Sequence, residues 1–290
     1  MLEAVPNVSE GRDRASIEEI GRAFATGVSL LDVHSDADHH RSVFTLAGGE
    51  EELEGALVRG AARAVELLDL RQHEGVHPRV GVVDVVPLVA LDPADLGRAS
   101  AAALAVADRL GSELGVPVFL YGAVGHGRRP AFFRRGGPEE LERRVRSGEL
   151  APDAGPRHLD PRTGATLVGA RGPLVAYNVE LATADVAVAR EVAAVVRESG
   201  GGMPGVQAIG LYLPRAGLAQ VSVNVLDLER SPLHRVYARI VAEAGRRGVA
   251  VRGGELVGLV PASVLEAADG AGSRVPGVDE TRVLERVLGP

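Results

Sequence analysis

Two hydrophobic periods alternate along this chain in an order that leaves few folds open. An apolar run at Leu2–Val8 is followed by Ser16-Ile17-Glu18-Glu19, a capping-box pattern that opens a helix to about Ala25. Val28–Val33 and Ser42–Ala47 are compact β-branched and apolar runs and read as strands. Across Glu50–Leu70 the residues Leu53, Leu57, Ala61, Ala64 and Leu68 share one helical face, and Val80–Val86 is a Val-rich strand. That succession, β-α-β-β-α-β, is the split β-α-β order. A helix at Ala99–Leu114 and a strand at Val116–Tyr121 extend it. The order then recurs without obvious sequence repetition. Leu174–Leu181 reads as a strand, Ala184–Arg197 as a helix, and Val206–Leu213 and Leu218–Val225 as paired strands. Ser231-Pro232 supplies an N-cap and an N1 proline for a helix to about Arg247, and Glu255–Val260 closes the set. The expected fold class is α/β (α+β), with two tandem ferredoxin-like subdomains over residues 1–170 and 171–290. Between the repeated units lies Gly122–Thr163, rich in Gly, Pro and Arg, with one short helix at Pro138–Arg146. A loop that long in a compact chain is usually functional or disordered, and a groove between the two subdomains is the expected ligand site.

Composition narrows the classes further. The 290 residues are 46% hydrophobic and 24% charged, which excludes a mainly disordered chain. Aromatics make up 3% and Trp is absent, so Val, Leu, Ala and Ile must build the core. With no cysteine there is no disulfide, no thiolate nucleophile and no Cys-ligated metal. All 32 basic residues are Arg, against 39 acidic ones, and the net charge of −7 argues against a general binder of nucleic acid or anionic membranes. No apolar run reaches the ~18 residues of a spanning helix, and the first residues lack the features of a signal peptide. A soluble cytoplasmic protein is expected.

Histidine is the concentrated reactive group. Of the 8 histidines, His34, His39, His40, His73 and His77 lie close together in sequence. An imidazole titrates near neutral pH and both accepts and donates a proton, which suits His77 to group transfer, and Pro78 restrains the backbone behind it. A polar residue at a strand start is the plainer account of the same histidine. The stretch His34-Ser35-Asp36-Ala37-Asp38-His39-His40-Arg41 has two readings: a zinc or manganese site of a metal-dependent hydrolase, or a polar turn in which Asp and His satisfy local backbone groups. Arg128, Arg129, Arg134, Arg135, Arg143, Arg144 and Arg146, with Phe132 and Phe133, suggest a single-strand nucleic-acid platform or a solvated helical face. Glu139, Glu140 and Glu142 favour the second, with some guanidiniums left to receive a carboxylate.

Several motifs, in order, resemble the glutamate formimidoyltransferase family, the transferase half of formiminotransferase–cyclodeaminase. They are Val5-Pro6-Asn7-Val8-Ser9-Glu10-Gly11-Arg12, Arg41-Ser42-Val43-Phe44-Thr45, and His77-Pro78-Arg79 with Val80–Pro87. Val116–Gly122, Gly164–Asn178, Gln220–Asp227 and Glu255–Pro261 complete the set. The resemblance implies two ferredoxin-like subdomains, a folate groove between them and a homodimer. It also implies transfer of the formimino group from N-formimino-L-glutamate to N5 of tetrahydrofolate, with no cofactor beyond that co-substrate and no metal. It assigns the catalytic role to His77. The folate-binding segment it assigns is Gly155, Pro156, Arg157, His158, Leu159, Asp160, Pro161, Arg162, Thr163 and Gly164. Arg41 and Arg79 are the arginines expected to pair with substrate carboxylates. A folate-binding paralogue without turnover, or with another donor, is the alternative. The chain departs from the family pattern at Val76 (usually Glu), His40 (usually Asn) and Leu150 (usually Trp).

Overall fold

A computed structural model describes residues 1–289, and the chain divides into two compact units, Met1–Gly172 and Pro173–Pro290. The first unit begins with β1 (Leu2–Ala4) and β2 (Asn7–Val8), then α1 (Arg14–Phe24), β3 (Ser29–Asp36), β4 (Arg41–Gly48), α2 (Glu50–Leu67) and β5 (Val83–Val89). β1 and β2 are one strand in function. Both pair with β4 on one side and β5 on the other, and across the break Val5 N–H donates to the Pro87 carbonyl while Pro6 accepts from Phe44 N–H. The Leu2–Val8 run therefore lies between β4 and β5, with β3 outside β4, all antiparallel.

The remainder of this unit is α3 (Leu96–Leu114), β6 (Val118–Gly122), α4 (Pro130–Arg134), α5 (Gly137–Arg146) and β7 (Thr166–Arg171). β7 inserts between β5 and β6 and runs parallel to both. The strand pleat sends successive side chains to opposite faces. Val86, Leu88, Val118 and Val168 accordingly pack with the apolar faces of α1, α2 and α3. Val85, Phe119, Tyr121 and Leu167 point the other way, onto Phe133, Leu141, Val145 and Leu159.

The second unit contains β8 (Val175–Leu181), α6 (Val186–Val196), β9 (Val206–Leu213), β10 (Leu218–Val225), α7 (Leu233–Arg246), β11 (Val251–Val257), α8 (Ala262–Gly270) and α9 (Leu284–Leu288). Its sheet order is β11-β8-β10-β9, all antiparallel. In each unit the opening strand thus sits between the third and the fourth. Tyr177, Val192, Val196, Val221, Val223, Val236 and Ile240 form the second core. No helix among the described residues is long and apolar enough to cross a membrane.

Several local expectations are corrected. The cap of α1 is Asp13, whose carboxylate accepts from Ala15 N–H at 3.1 Å, and Ser16 lies inside the helix, donating to Asp13. Ser231 is not the cap of α7: its hydroxyl donates to the Pro204 carbonyl at 2.6 Å, and Pro232 occupies the cap. The expected strand at Val80 begins three residues later, because the Asp84 carboxylate holds Val80 N–H and Gly81 bridges to Gly164 instead. β11 begins earlier than Glu255 and carries a bulge between Val251 and Gly253. α4, β7, α8 and α9 were not expected. The Gly122–Thr163 stretch therefore supplies a second packed layer in addition to its loops. β7 was hidden by Gly169, whose missing Cβ makes room for the Tyr121 ring.

Gly81 is where the residues leading into β5 meet the segment before β7. A Cβ there would lie 2.1 Å from the Ala165 carbonyl oxygen, a backbone atom that cannot swing aside. Gly81→Ala is expected to cost about 1–3 kcal/mol, the usual range for overpacking. Urea unfolding followed by circular dichroism checks this.

Candidate functional site

The site forms where three segments of the first unit meet. These are the Asn7–Arg12 turn after β2, the Asp36–Arg41 turn between β3 and β4, and the His73–Asp84 segment entering β5. The second turn is tied by Asp36, whose Oδ1 accepts from Asp38 N–H at 2.7 Å and His39 N–H at 2.6 Å. This is the polar-turn geometry in which a short carboxylate replaces a backbone acceptor. The turn ends with His40 at φ 51°, in the left-handed region. Asn and His enter that region more readily than most residues, which accounts for either being found here. Gly11 allows the first turn to close on the second, since a Cβ would meet the Asp36 carbonyl at 2.1 Å.

Asp84 is the electrostatic centre. It has 0% exposure, and its Oδ1 accepts from Val80 N–H at 2.8 Å. Its Oδ2 accepts from Arg41 Nη1 at 2.7 Å and from Arg134 Nη2. Arg41 also donates from Nε to Asn7 Oδ1 at 2.9 Å. Burial alone would raise the Asp84 carboxyl, but Arg134, Arg41 and the Val80 N–H outweigh it and hold the group below its ordinary 3.8. The counterpart is that burial, with Arg134 and Arg79 nearby, lowers Arg41 to about 10 despite the Asp84 charge.

His77 lies beside this cluster and faces His39, with ring centroids 5.7 Å apart. Its Nδ1 is buried and has no hydrogen-bond partner. Burial lowers its pKa well below 6.5, and the charges of Arg41, Arg134 and His39 push it in the same direction. At neutral pH it is a neutral imidazole able to accept a proton.

Arg79 donates from Nη2 to the His73 carbonyl at 2.8 Å and from Nη1 to the Gly75 carbonyl at 3.0 Å, while its Nε is buried without a partner. The Arg134 Nε is in the same condition. Two guanidiniums therefore hold one carboxylate, a third lies within its field, and Nε donors of Arg79 and Arg134 are left over. A carboxylated ligand is the natural complement.

Glu10 accepts from Arg12 N–H at 2.7 Å and Asp13 N–H at 3.0 Å and pairs with His40 Nε2 at 3.1 Å. Burial pushes this carboxyl up, but those hydrogen bonds prevail and bring it to about 2.

The structure brings His77, Arg41 and Arg79 together, whereas the Gly155–Gly164 segment is spread out. Gly155, at φ 80°, is seated against Val116 and Gly111. Arg157, His158, Asp160 and Pro161 are exposed and Pro156 is half-buried, while Leu159 is buried with its N–H donating to Glu142 at 2.7 Å. The Asp160 carboxylate accepts from Arg162 N–H, and the Arg162 guanidinium reaches the Glu66 carbonyl. Only Thr163 and Gly164 adjoin the His77 segment, through Val82 N–H and the bridge to Gly81.

Among the described residues, no group of three or more His, Asp or Glu is placed to hold a metal ion. Arg143 pairs with Glu140, Arg146 with Glu142, and Arg144, at 1% exposure, with Glu149 under the Phe132 ring. Leu150, in the usual Trp position, packs against the Phe119–Phe133 cluster. Sequence reading missed the roles of Asp84, Arg134, Glu10 and His73. Asp84 had a signal, as a single carboxylate within the Val80–Val86 run. Arg134 was named only within a run of arginines, some of which were left to receive a carboxylate, and nothing in the run singled it out.

Two consecutive α/β units, the first carrying a neutral, half-buried imidazole beside an arginine cluster, define the class of this protein. The N-terminal subdomain of the formiminotransferase domain matches residues 1–171 and the formiminotransferase domain matches residues 176–271. The chain belongs to the formiminotransferase family. It is 39% identical to the glutamate formimidoyltransferase of Streptococcus pyogenes serotype M1, over 91% of this chain and 90% of that protein. It is 34% identical to that of Thermoplasma acidophilum, over 99% of this chain and 97% of the other. Against the formimidoyltransferase-cyclodeaminase of Gallus gallus it is 40% identical over 93% of its length, spanning 52% of that longer protein.

Removing the Asp84 charge leaves buried guanidiniums without their counter-charge. Asp84→Asn is expected to destabilise the protein by about 3–5 kcal/mol at pH 7, as breaking a buried ion pair does. The folded pKa of Asp84 is depressed, so its contribution is present above the unfolded value of about 3.8 and is lost as pH falls through the folded value. Urea unfolding of wild type and variant at pH 7 and below pH 4 should show the gap narrow on acidification.

Proposed function

We propose that this chain is an enzyme that transfers the formimino group from N-formimino-L-glutamate to N5 of tetrahydrofolate. The products are 5-formiminotetrahydrofolate and L-glutamate, and the reaction belongs to histidine degradation. The observation that carries the proposal is the buried, unpartnered Nδ1 of His77 beside a cluster with surplus guanidinium donors. Family membership and the named relatives support the substrate pair.

In this reading N5 attacks the amidine carbon, forming an N5–C bond and a tetrahedral intermediate. His77, neutral because burial and the arginines disfavour its cation, accepts the proton lost by N5. It then returns that proton to the departing glutamate nitrogen as the C–N bond breaks, so one imidazole serves both halves. Arg41 and Arg79 bind substrate carboxylates, and Arg134, whose Nε has no partner, joins them. The Gly155–Gly164 segment is the folate-binding element. Tetrahydrofolate is consumed as co-substrate. We place the protein in the cytoplasm; the homodimer is what the family resemblance implies.

The decisive measurement is a transfer assay with both substrates on wild type and His77→Ala. Turnover is expected to fall at least ~100-fold in the variant, within the range for loss of an acid–base group, with folate binding retained. A variant as fast as wild type would overturn the role of His77. Arg41→Ala and Arg79→Ala are each expected to raise the KM of at least one substrate roughly 10–100-fold, as loss of a charged hydrogen bond does. Unchanged KM values would remove both from the binding set.

Protonation of His77 abolishes its capacity as a base, so kcat/KM should fall on the acid side of pH 6.5. Arg134→Gln removes a positive charge that disfavours the imidazolium, and should move that acid limb to higher pH. A pH–rate profile of the two proteins reads the shift directly.

A further inference from the structure

His73 has every polar atom of its ring engaged. Its Nε2 lies 2.6 Å from the His40 carbonyl, and its Nδ1 lies 3.1 Å from Gly75 N–H. A carbonyl only accepts and a backbone N–H only donates, so His73 is the neutral tautomer with its proton on Nε2. Burial is the main cause that lowers its pKa to about 4, and the same tautomer therefore persists at neutral pH. One ring face stacks on His40 at 4.2 Å between centroids, 17° from parallel. A ring so occupied has no atom left to exchange a proton with a substrate, yet it joins two segments that bear the site.

The chain of contacts is continuous. Glu10 holds the His40 imidazole, the His40 carbonyl holds His73, and His73 holds the Gly75 backbone two residues before His77. Arg79 clamps the same loop from the other side through the His73 and Gly75 carbonyls, and Val76 N–H donates to the Asp38 carbonyl at 3.0 Å. Gly75 is itself demanded by this closeness, since a Cβ would meet the His39 carbonyl at 2.2 Å. Val76 has no carboxylate to orient the neighbouring imidazole, so the loop must be fixed through its backbone.

We propose that His73, braced by Glu10 and His40, is a positioning residue that sets where the His77 ring stands. The proposal rests on the reading of His77 as the acid–base group. Displacing a reacting group by about 1 Å costs on the order of 100-fold in rate, so His73→Ala is expected to lower kcat roughly 10–100-fold. The KM values of both substrates should change by less than about threefold, because His73 carries no ligand contact.

Three comparisons decide it. Added to His77→Ala, the His73→Ala substitution should cost nothing further, since a positioning group has nothing left to position; a multiplicative loss would overturn the proposal. His73→Gln retains a side-chain N–H for the His40 carbonyl and should recover most of kcat, whereas His73→Asn retains only the acceptor for Gly75 and should not. An unchanged kcat in His73→Ala also overturns it. If the alanine variant fails to fold, the Asn and Gln pair still carries the test.

Should wild type show no formimino transfer, the functional reading fails on its own. The positioning proposal is then decided by NMR of ring-labelled histidine. Expected is a shifted or broadened His77 signal, with an altered titration, in His73→Asn and near-native behaviour in His73→Gln. An unperturbed His77 signal in both variants would sink it.

Discussion

Asp84, with no exposure, accepts hydrogen bonds from two guanidiniums and one backbone N–H, and those three donors come from β4, α4 and the approach to β5. An isolated carboxylate in that position would either take up a proton or stay in water. Its ionised form survives because Arg41 and Arg134 are carried to it by elements whose apolar faces pack independently, one in the Leu46 core and the other in the Phe133 core. The charge cluster thus joins both faces of the first sheet. It also explains why Val80–Val82 leaves the sheet: the Val80 N–H is held by the carboxylate in place of a strand partner.

The same cluster determines the character of His77. Burial of the His77 ring disfavours its cation, and the neighbouring Arg41 and Arg134 add to that effect, so the imidazole is neutral at neutral pH. The positive charge of Arg41 and Arg134, which adds to the burial of His77, is only partly offset by Asp84. Glu10 and His40 form a second, smaller electrostatic unit on the opposite side of the loop. Between them the residues from His73 to Arg79 are held by backbone and ring contacts, with three turns closed by Gly11, Gly75 and Gly81, where a Cβ has no room.

Much of this architecture was legible from periodicity. Strands and helices with a strong apolar face, such as α2, α3, β9 and β10, fall within a few residues of their expected limits. The misses lie where a competing partner, near or distant in sequence, overrides the local signal. The capping-box pattern at Ser16 lost to an Asp13 carboxylate better placed for Ala15 N–H. The short β7 is stabilised by two flanking strands its own sequence does not announce. In the Gly122–Thr163 stretch, where one helix was expected at Pro138–Arg146, a second forms at Pro130–Arg134, because Phe133 finds an apolar face to cover.

Within the site, the residue types and their chemistry were set by the sequence alone: neutral-range histidines, arginines as the only cations, no thiol, and ordered motifs that place His77 beside Pro78 and Arg79. Those properties belong to side chains and their near neighbours, so they need no fold to be read. The partners of those groups were decided only in three dimensions. Arg41 and Asp84 are 43 positions apart, Arg134 and Asp84 are 50 apart, and Glu10 and His40 are 30 apart. Hydrogen bonds and desolvation act over a few ångströms, and no local pattern records which remote groups the packed sheet brings within that range.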